Sequence, residues 1–431
     1  MIPSARISAA IEVLADIAAR RRPVSDALKD WGLSHRFAGS KDRAAIASLV
    51  YDALRRRSSA AWVMGDDSAR AVMIGALALQ RGLTPSAIAS LFSGERFAPE
   101  PLTEPERAAL ENASLADAPA HVAGDFPEWL EEQFAAFFGE ALVPEMQALC
   151  ARAPLDIRAN THKTTRAALQ DRLAHLSPIE TPLAPHGLRV PIGEDGRGPS
   201  LQSEPEFIKG LFEIQDEGSQ LAALLCAAKP GEQVIDLCAG AGGKTLALAA
   251  MMENQGQIFA TDTDKRRLAP IHDRLARSGA HNVQVRTPRG ADDPLADLAG
   301  KADCVLVDAP CTGSGTWRRN PDAKWRLRPG SLAVREAEQA QVLDRAAGLA
   351  RPGGRVFYIT CSILPAENDD AVSGFLARHP EFTATPVAAL LAAHGCGALE
   401  GKARTTAHGL QMTPLFTGTD GFYVAGLTRA A

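Results

Sequence analysis

Between about residue 215 and residue 361 the sequence alternates between two kinds of segment, and this alternation narrows the possible folds more than any other feature. Short apolar runs rich in β-branched residues occur at EQVIDLC (232–238), GQIFATD (256–262), NVQVRT (282–287), ADCVLVDAP (302–310) and GGRVFYITC (353–361). Helical patterns lie between and after them, at KTLALAAMM, KRRLAPIHDRLARSG and SLAVREAEQAQVLDRAAGLA. A strand that is apolar on both faces needs cover on both, and a helix after each strand supplies it. The pattern predicts an α/β fold with a doubly wound, mostly parallel sheet. Such sheets bind ligands at the carboxyl ends of their strands, near the reversal of strand order.

The first strand runs into DLCAGAGGKT (236–245) and then a helix. Two familiar nucleotide fingerprints fail here. A P-loop needs Gly where Cys238 stands, and the dinucleotide pattern needs Gly or Ala where Thr245 stands. Gly240, Gly242 and Gly243 still make a turn whose backbone N–H groups can approach a ligand closely. Asp262, at the end of the second strand, is 22 residues beyond Gly240 and suits a pair of ribose hydroxyls. A Gly loop with a ribose acid and no pyrophosphate site fits an adenosyl ligand, S-adenosylmethionine.

The fourth strand ends in DAPCTGSGTWRRNPDAKWR (308–326) and the fifth in TCSILPAEND (360–369). In the strand order 3-2-1-4-5 these two are neighbours, so Cys311 and Cys361 would emerge side by side, sharing a crevice with Asp308 and the Gly loop. Packing accounts for Cys150, Cys226 and Cys304. Neither His nor carboxylate accompanies the paired thiols at zinc-ligand spacing, so no metal is expected. A thiol has a use in methyl transfer to a pyrimidine. Carbon 5 of cytosine is a poor nucleophile until a thiolate adds to C6 and makes C5 enamine-like, and a carboxyl group at the N3 edge stabilises that adduct. Asp308 is placed for this, and the second thiol for proton removal or release.

These segments resemble the signature motifs of the Nol/Nop/Sun family of RNA cytosine-5 methyltransferases, in particular its bacterial RsmB branch. The resemblance covers about 205–431, including FEIQDEGSQLAALL (212–225) and DGFYVAGL (420–427). It implies a Rossmann-like methyltransferase domain in which Cys361 is the nucleophile and Cys311 aids release. Asp308 would contact the base, and Lys244 would orient the base or a nearby phosphate. Cofactor contacts would come from Cys238, Ala239, Gly240, Ala241, Gly242, Gly243, Lys244, Asp262, Arg267 and Asp308. DNA cytosine methyltransferases use the Pro-Cys thiol instead, which would reverse the two roles; the TCS segment on the next strand favours Cys361. The chain departs from the family in two places. The loop lacks the Pro of Ala-Ala-Pro-Gly-Gly-Lys, and an acid expected after the third strand is replaced by Arg289, with Asp292 nearby.

The remainder resembles the family more loosely. LDIRANTHKTTRAALQDRL (155–173) is similar to its small α+β RNA-binding module, with Thr164 or Thr165 capping the helix, and SKDRAAIASLVYDALRRRSSAAWVM (40–64) resembles its NusB-like helical domain. The expected organisation is a helical domain with an acidic linker over 1–125, the module over 126–205 and the methyltransferase domain over 206–431. The net charge of −5 conceals a segment of +5 over 1–81 and one of −10 over 82–150. Arg55-Arg56-Arg57 and the Trp317–Arg328 loop are therefore candidate phosphate and nucleotide contacts. Without an apolar run near the ~20 residues that span a bilayer, the expectation is a cytoplasmic monomer whose partner is RNA, ribosomal RNA by resemblance. The same chemistry on tRNA, or a non-catalytic RNA-binding assembly factor, remain open alternatives.

Overall fold

The computed structural model describes residues 1–193, 198–288, 290, 292–392 and 395–431. They form two compact units, one of Met1–Arg152 with Trp317–Leu327, the other of Ala153–Thr316 with Arg328–Ala431. No helix among the described residues is long and apolar enough to cross a membrane.

The first unit is helical. Helices Pro3–Arg20, Ser40–Arg55 and Ala69–Leu79 each turn an apolar stripe inward, burying Ile7, Val13, Ile46, Val50, Met73 and Ile74 in one core. Gly75 allows helix Ala69–Leu79 to approach helix Arg57–Met64 closely, since a Cβ there would lie 2.7 Å from Ala60. The stretch 126–150, grouped by sequence with the module after it, belongs to this unit because Phe126, Phe134 and Phe138 are buried and Phe134 meets the edge of Trp317 at 6.2 Å.

Trp317–Leu327 corrects one expectation. It is part of the helical unit, and Trp317 and Lys324, expected among its nucleotide contacts, are only 2% and 1% exposed, while Arg319 and Arg326 stand exposed. The Lys324 ammonium donates to the carbonyl of Arg55 at 3.0 Å, and the Trp325 indole N–H to that of Leu54 at 2.7 Å. Arg55 is corrected with it: buried, it donates to the carbonyls of Arg318 and Ala151 at 2.6 and 3.1 Å. Arg56 donates to Gln80, and Arg57 remains exposed. The C-terminal carbonyls of helix Ser40–Arg55 are satisfied by side chains of the helix Pro321–Arg326, which residue type alone does not reveal.

The second unit holds two sheets among the described residues. Strands β1 (Leu155–Ala159), β2 (Ile179–Glu180), β3 (Gly187–Val190) and β4 (Phe212–Ile214) form an antiparallel sheet in the order β2-β3-β1-β4. Helix Arg166–Arg172 packs on it, with Thr165 as the cap accepting from the Ala168 N–H. The large sheet contains β5 (Gln233–Asp236), β6 (Gln257–Ala260), β7 (Val283–Val285), β8 (Ala302–Asp308) and β9 (Ala350–Thr360). To these are added β10 (Phe382–Ala384), β11 (Arg404–Thr405), β12 (Leu410–Met412) and β13 (Phe422–Arg429). The order is β11-β12-β13-β9-β8-β5-β6-β7, with β10 on β13.

Strands β7-β6-β5-β8-β9 are parallel and reproduce the order 3-2-1-4-5. The antiparallel extension beyond β9 is more extensive than the sequence predicts, because β11 and β12 are too short to carry a periodic signal. The helix pattern at 265–279 is split into Lys265–Leu268 and Ile271–Ser278 by Pro270.

Candidate active site

The site is assembled at the carboxyl ends of β5, β6, β8 and β9. After β5 the chain turns sharply, with Gly240 at φ +49° and Gly242 at φ +83°. A Cβ at Gly242 would strike Ile271 at 2.5 Å, so only Gly fits. Asp262, past the end of β6, is buried. Its Oδ2 accepts from the Gly240 N–H and its Oδ1 from the Asp264 N–H, both at 2.9 Å. Each oxygen retains a free lone pair for a ligand hydroxyl. A Cβ on Gly240 would occupy space 3.7 Å from the Arg267 guanidinium and 3.9 Å from the Asp262 carboxylate. Gly240 thus sits in van der Waals reach of both residues, which places the turn, Asp262 and Arg267 around one point.

Behind the loop, the Arg274 guanidinium donates to the Ala241 carbonyl at 3.0 Å and Arg158 to that of Gly243 at 3.3 Å. The Ala239 N–H donates to Thr261 and its carbonyl accepts from Gly242, both at 2.8 Å. Burial, reinforced by Asp236 and Asp308, pushes the Cys238 thiol up, so it stays protonated. Arg289 lies outside the described residues, and Asp292 is exposed.

Lys244, in the first turn of the helix Gly243–Met251, donates to Asp308 Oδ2 at 2.7 Å and lies 5.2 Å from the Phe422 ring centre. Burial opposes the ammonium charge, but the adjacent Asp308 carboxylate outweighs it and holds the Lys244 pKa above its usual value. Lys244 thus neutralises the acid beside the thiols, and Cys361 lies within its electrostatic reach.

Cys311 follows β8 and Cys361 follows β9, and their sulfurs are 3.4 Å apart. Adjacent parallel strands bring together residues that are 50 positions apart. The Cys311 thiol is driven well above its ordinary value by its hydrogen bond to Cys361 and by burial. Cys150, Cys226, Cys304 and Cys396 are buried.

Sequence reasoning gave no part to Glu367, inside TCSILPAEND. Fully buried, it accepts from the Thr312 N–H at 2.7 Å, the Thr312 and Ser362 hydroxyls at 2.5 Å and the Gln339 amide at 3.1 Å. Glu367 stands six residues past the expected nucleophile, where the apolar run Ile363–Ala366 gives way to Asn368, Asp369 and Asp370, and nothing in the sequence separates it from those two acids.

A sequence profile described as 16S rRNA methyltransferase RsmB/F matches residues 223–428. The protein named "Probable ribosomal RNA small subunit methyltransferase B" in Synechocystis sp. is 33% identical over 316 residues, 71% of this chain and 67% of that one. This chain belongs to the RsmB/F methyltransferase family. The ribosomal RNA small subunit methyltransferase B of Erwinia tasmaniensis is 29% identical over 91% of both chains. Among solved structures, PH0851 superposes with a TM-score of 0.73 at 25% identity over 99% of both chains. A methyltransferase homolog protein from Pyrococcus horikoshii superposes at 0.59 and 26% identity, covering 72% of this chain and 97% of its own. The fold of RsmB/F relatives is thus the Rossmann-like one expected, and the cofactor is S-adenosylmethionine.

Proposed function

We propose that this RsmB/F member forms 5-methylcytosine in small-subunit ribosomal RNA through a covalent Cys361–C6 adduct. The observation that carries this reading is the pair of thiols 3.4 Å apart at neighbouring strand ends, beside the Lys244–Asp308 ion pair. One thiol serves many reactions; a nucleophile with a second thiol in contact suits a reaction that must form and then break a carbon–sulfur bond.

The Cys361 thiolate adds to C6 of the flipped base, and the C5–C6 π electrons shift toward C5 and the N3 edge. The N3 edge takes up a proton from solvent, which it gives back when the adduct breaks down, and Asp308 accepts the N3–H hydrogen bond in between while Lys244 offsets its charge. When bound, S-adenosylmethionine supplies the electrophilic methyl group that C5 accepts. The C5 proton then passes to solvent, its C–H electron pair re-forms the C5–C6 double bond, and the C6–S pair leaves on the Cys361 sulfur as its thiolate, with Cys311 assisting release through its S–H. Asp262, Arg267 and the loop Cys238–Lys244 hold the cofactor, and the helical unit and small sheet bind RNA. The names of the relatives favour ribosomal RNA over tRNA.

Bisulfite sequencing of total RNA from a deletion strain tests this reading. Loss of one 5-methylcytosine in 16S rRNA, restored by the wild-type gene and not by Cys361→Ala, is expected. Loss confined to tRNA overturns the substrate assignment. No loss, together with no transfer of labelled methyl by the purified protein, overturns the enzyme assignment.

A further inference from the structure

A cavity of about 690 Å³ lies within the second unit, lined by residues of the small sheet and of the helix Gly243–Met251. Its polar lining comes from Arg158, Asn160, His162, His186, Glu213 and Gln220, and its apolar wall from Leu246, Ala247 and Met251. The volume falls within the range of small-molecule sites. None of these lining residues belongs to the cofactor loop or the cysteine pair.

Three features of the lining select a ligand. The first is charge. Arg158 has a carbonyl as its partner, Gly243 O at 3.3 Å, and not a carboxylate. Glu213, the acid at hand, is engaged at Oε2 by Arg274 at 2.9 Å and at Oε1 by Arg277 at 2.7 Å. Glu253 stands exposed at the rim. Burial pushes Arg158 down to about 10, with Glu213 opposing the shift and Arg274 adding to it, so the cation is desolvated and its one nearby acid is shared with two other guanidinium groups. The deep end of the cavity therefore suits an anionic group.

The second is an unused acceptor. Gln220 is 1% exposed, its amide N–H is spent on Gln215 O at 2.9 Å, and its Oε1 has no hydrogen-bond partner. A buried carbonyl left unpaired is unfavourable, and a ligand N–H or O–H would relieve it. The third is a pair of imidazoles. Burial lowers both His162 and His186, and Arg158 lowers His186 further, so both are neutral at pH 7 and offer flat, uncharged faces to a heterocycle.

An anion, a hydrogen-bond donor and a flat ring within about 690 Å³ describe one chemical class. We infer that this cavity is a second nucleotide site, distinct from the catalytic crevice, with the phosphate on Arg158, an exocyclic N–H on Gln220 Oε1 and the base against His186. The nucleotide is either a unit of the RNA substrate or a free mononucleotide. Because Arg158 also holds the Gly243 carbonyl, occupancy is felt at the start of the helix that carries Lys244.

Titration calorimetry with CMP, cytidine and inorganic phosphate, with cofactor present at saturation, tests the site. CMP is expected to bind more tightly than either fragment. Arg158→Gln should weaken it about tenfold or more, the scale of one lost charge-assisted contact, and Gln220→Leu about threefold, while Asp308→Asn leaves it unchanged. Thermal melting establishes that each variant is folded, and His186→Ala decides if Arg158→Gln is not. A saturating single-stranded RNA separates the sources: displacement of CMP assigns the site to the substrate, and retention assigns it to a free nucleotide. CMP binding that is lost in Asp308→Asn and indifferent to Arg158→Gln belongs to the catalytic crevice and overturns the inference. So does phosphate binding as tightly as CMP, or no CMP binding together with no photo-crosslink from 4-thiouridine RNA to residues 158–162 or 185–187.

Discussion

Thr312 gives both its backbone N–H and its hydroxyl to the carboxylate of Glu367, 55 residues further along the chain. The same carboxylate takes the Ser362 hydroxyl, so one buried anion fixes the residue after Cys311 and the residue after Cys361. The 3.4 Å sulfur separation rests on this bridge. Glu367→Ala should cut methyl transfer more than tenfold through kcat, with KM for the cofactor little changed, and lower stability by roughly 2–4 kcal/mol. Glu367→Gln, which keeps the shape but donates where it should accept, should restore stability more than activity. Equal recovery of both would make Glu367 merely structural.

Trapping separates the roles of the two thiols. Under the proposed mechanism Cys311→Ala leaves the nucleophile in place and removes the group that helps expel it, so a covalent protein–RNA adduct should accumulate after methyl transfer and survive denaturing electrophoresis. Cys361→Ala should give none. An adduct with Cys361→Ala and none with Cys311→Ala would mean that the roles are reversed.

The Cys311 thiol also offers a chemical readout. Its hydrogen bond to Cys361 is the chief cause of its raised pKa, with burial second. The thiolate is the form that alkylates, so Cys311 should react slowly with iodoacetamide at pH 8 in the wild type. In Cys361→Ala the chief raising cause is gone, and Cys311 labelling should quicken several-fold, followed peptide by peptide in the mass spectrometer. An unchanged or slower rate would count against a shared proton between the sulfurs.

The parallel core and the cysteine pair were legible in the sequence because β5, β6, β8 and β9 carry strong β-branched signals and their connections are local. Strand order then puts Cys311 beside Cys361 with no further information. Two things were not legible. The Glu367 network depends on which polar atoms end up buried together, and composition cannot tell a buried carboxylate from a helix cap. The Trp317–Leu327 segment looks like a nucleic-acid loop by charge, yet its Lys324 caps the end of a helix more than 250 residues earlier. Trp317→Ala should accordingly destabilise the helical unit by about 3–5 kcal/mol, and Lys324→Met, which leaves the Arg55 carbonyl without its donor, by about 1–3 kcal/mol. Denaturant unfolding monitored by tryptophan fluorescence measures both. A wild-type midpoint for Lys324→Met together with weakened RNA binding would reinstate the surface-loop reading.

The pH dependence of stability should bear the mark of Asp236. This residue ends β5 beneath the cofactor loop, with Oδ2 accepting the Thr245 hydroxyl at 2.6 Å and Oδ1 unpartnered. Burial pushes its pKa up to about 7 against the opposing Thr245 hydrogen bond, whereas an unfolded Asp titrates near about 3.9. Between those values the folded state retains a proton that the unfolded chain has released, so stability falls as pH rises from about 4 to about 7 and levels off above. Asp236→Asn cannot ionise and escapes that loss. It should therefore be more stable than the wild type at pH 8, by roughly 1–3 kcal/mol, and should differ little from it at pH 4.5. Calorimetric melting of both proteins at the two pH values makes the comparison, and taking the difference between proteins cancels the other titrating groups. A gap of the same size at both pH values would show that Asp236 is ionised in the folded protein.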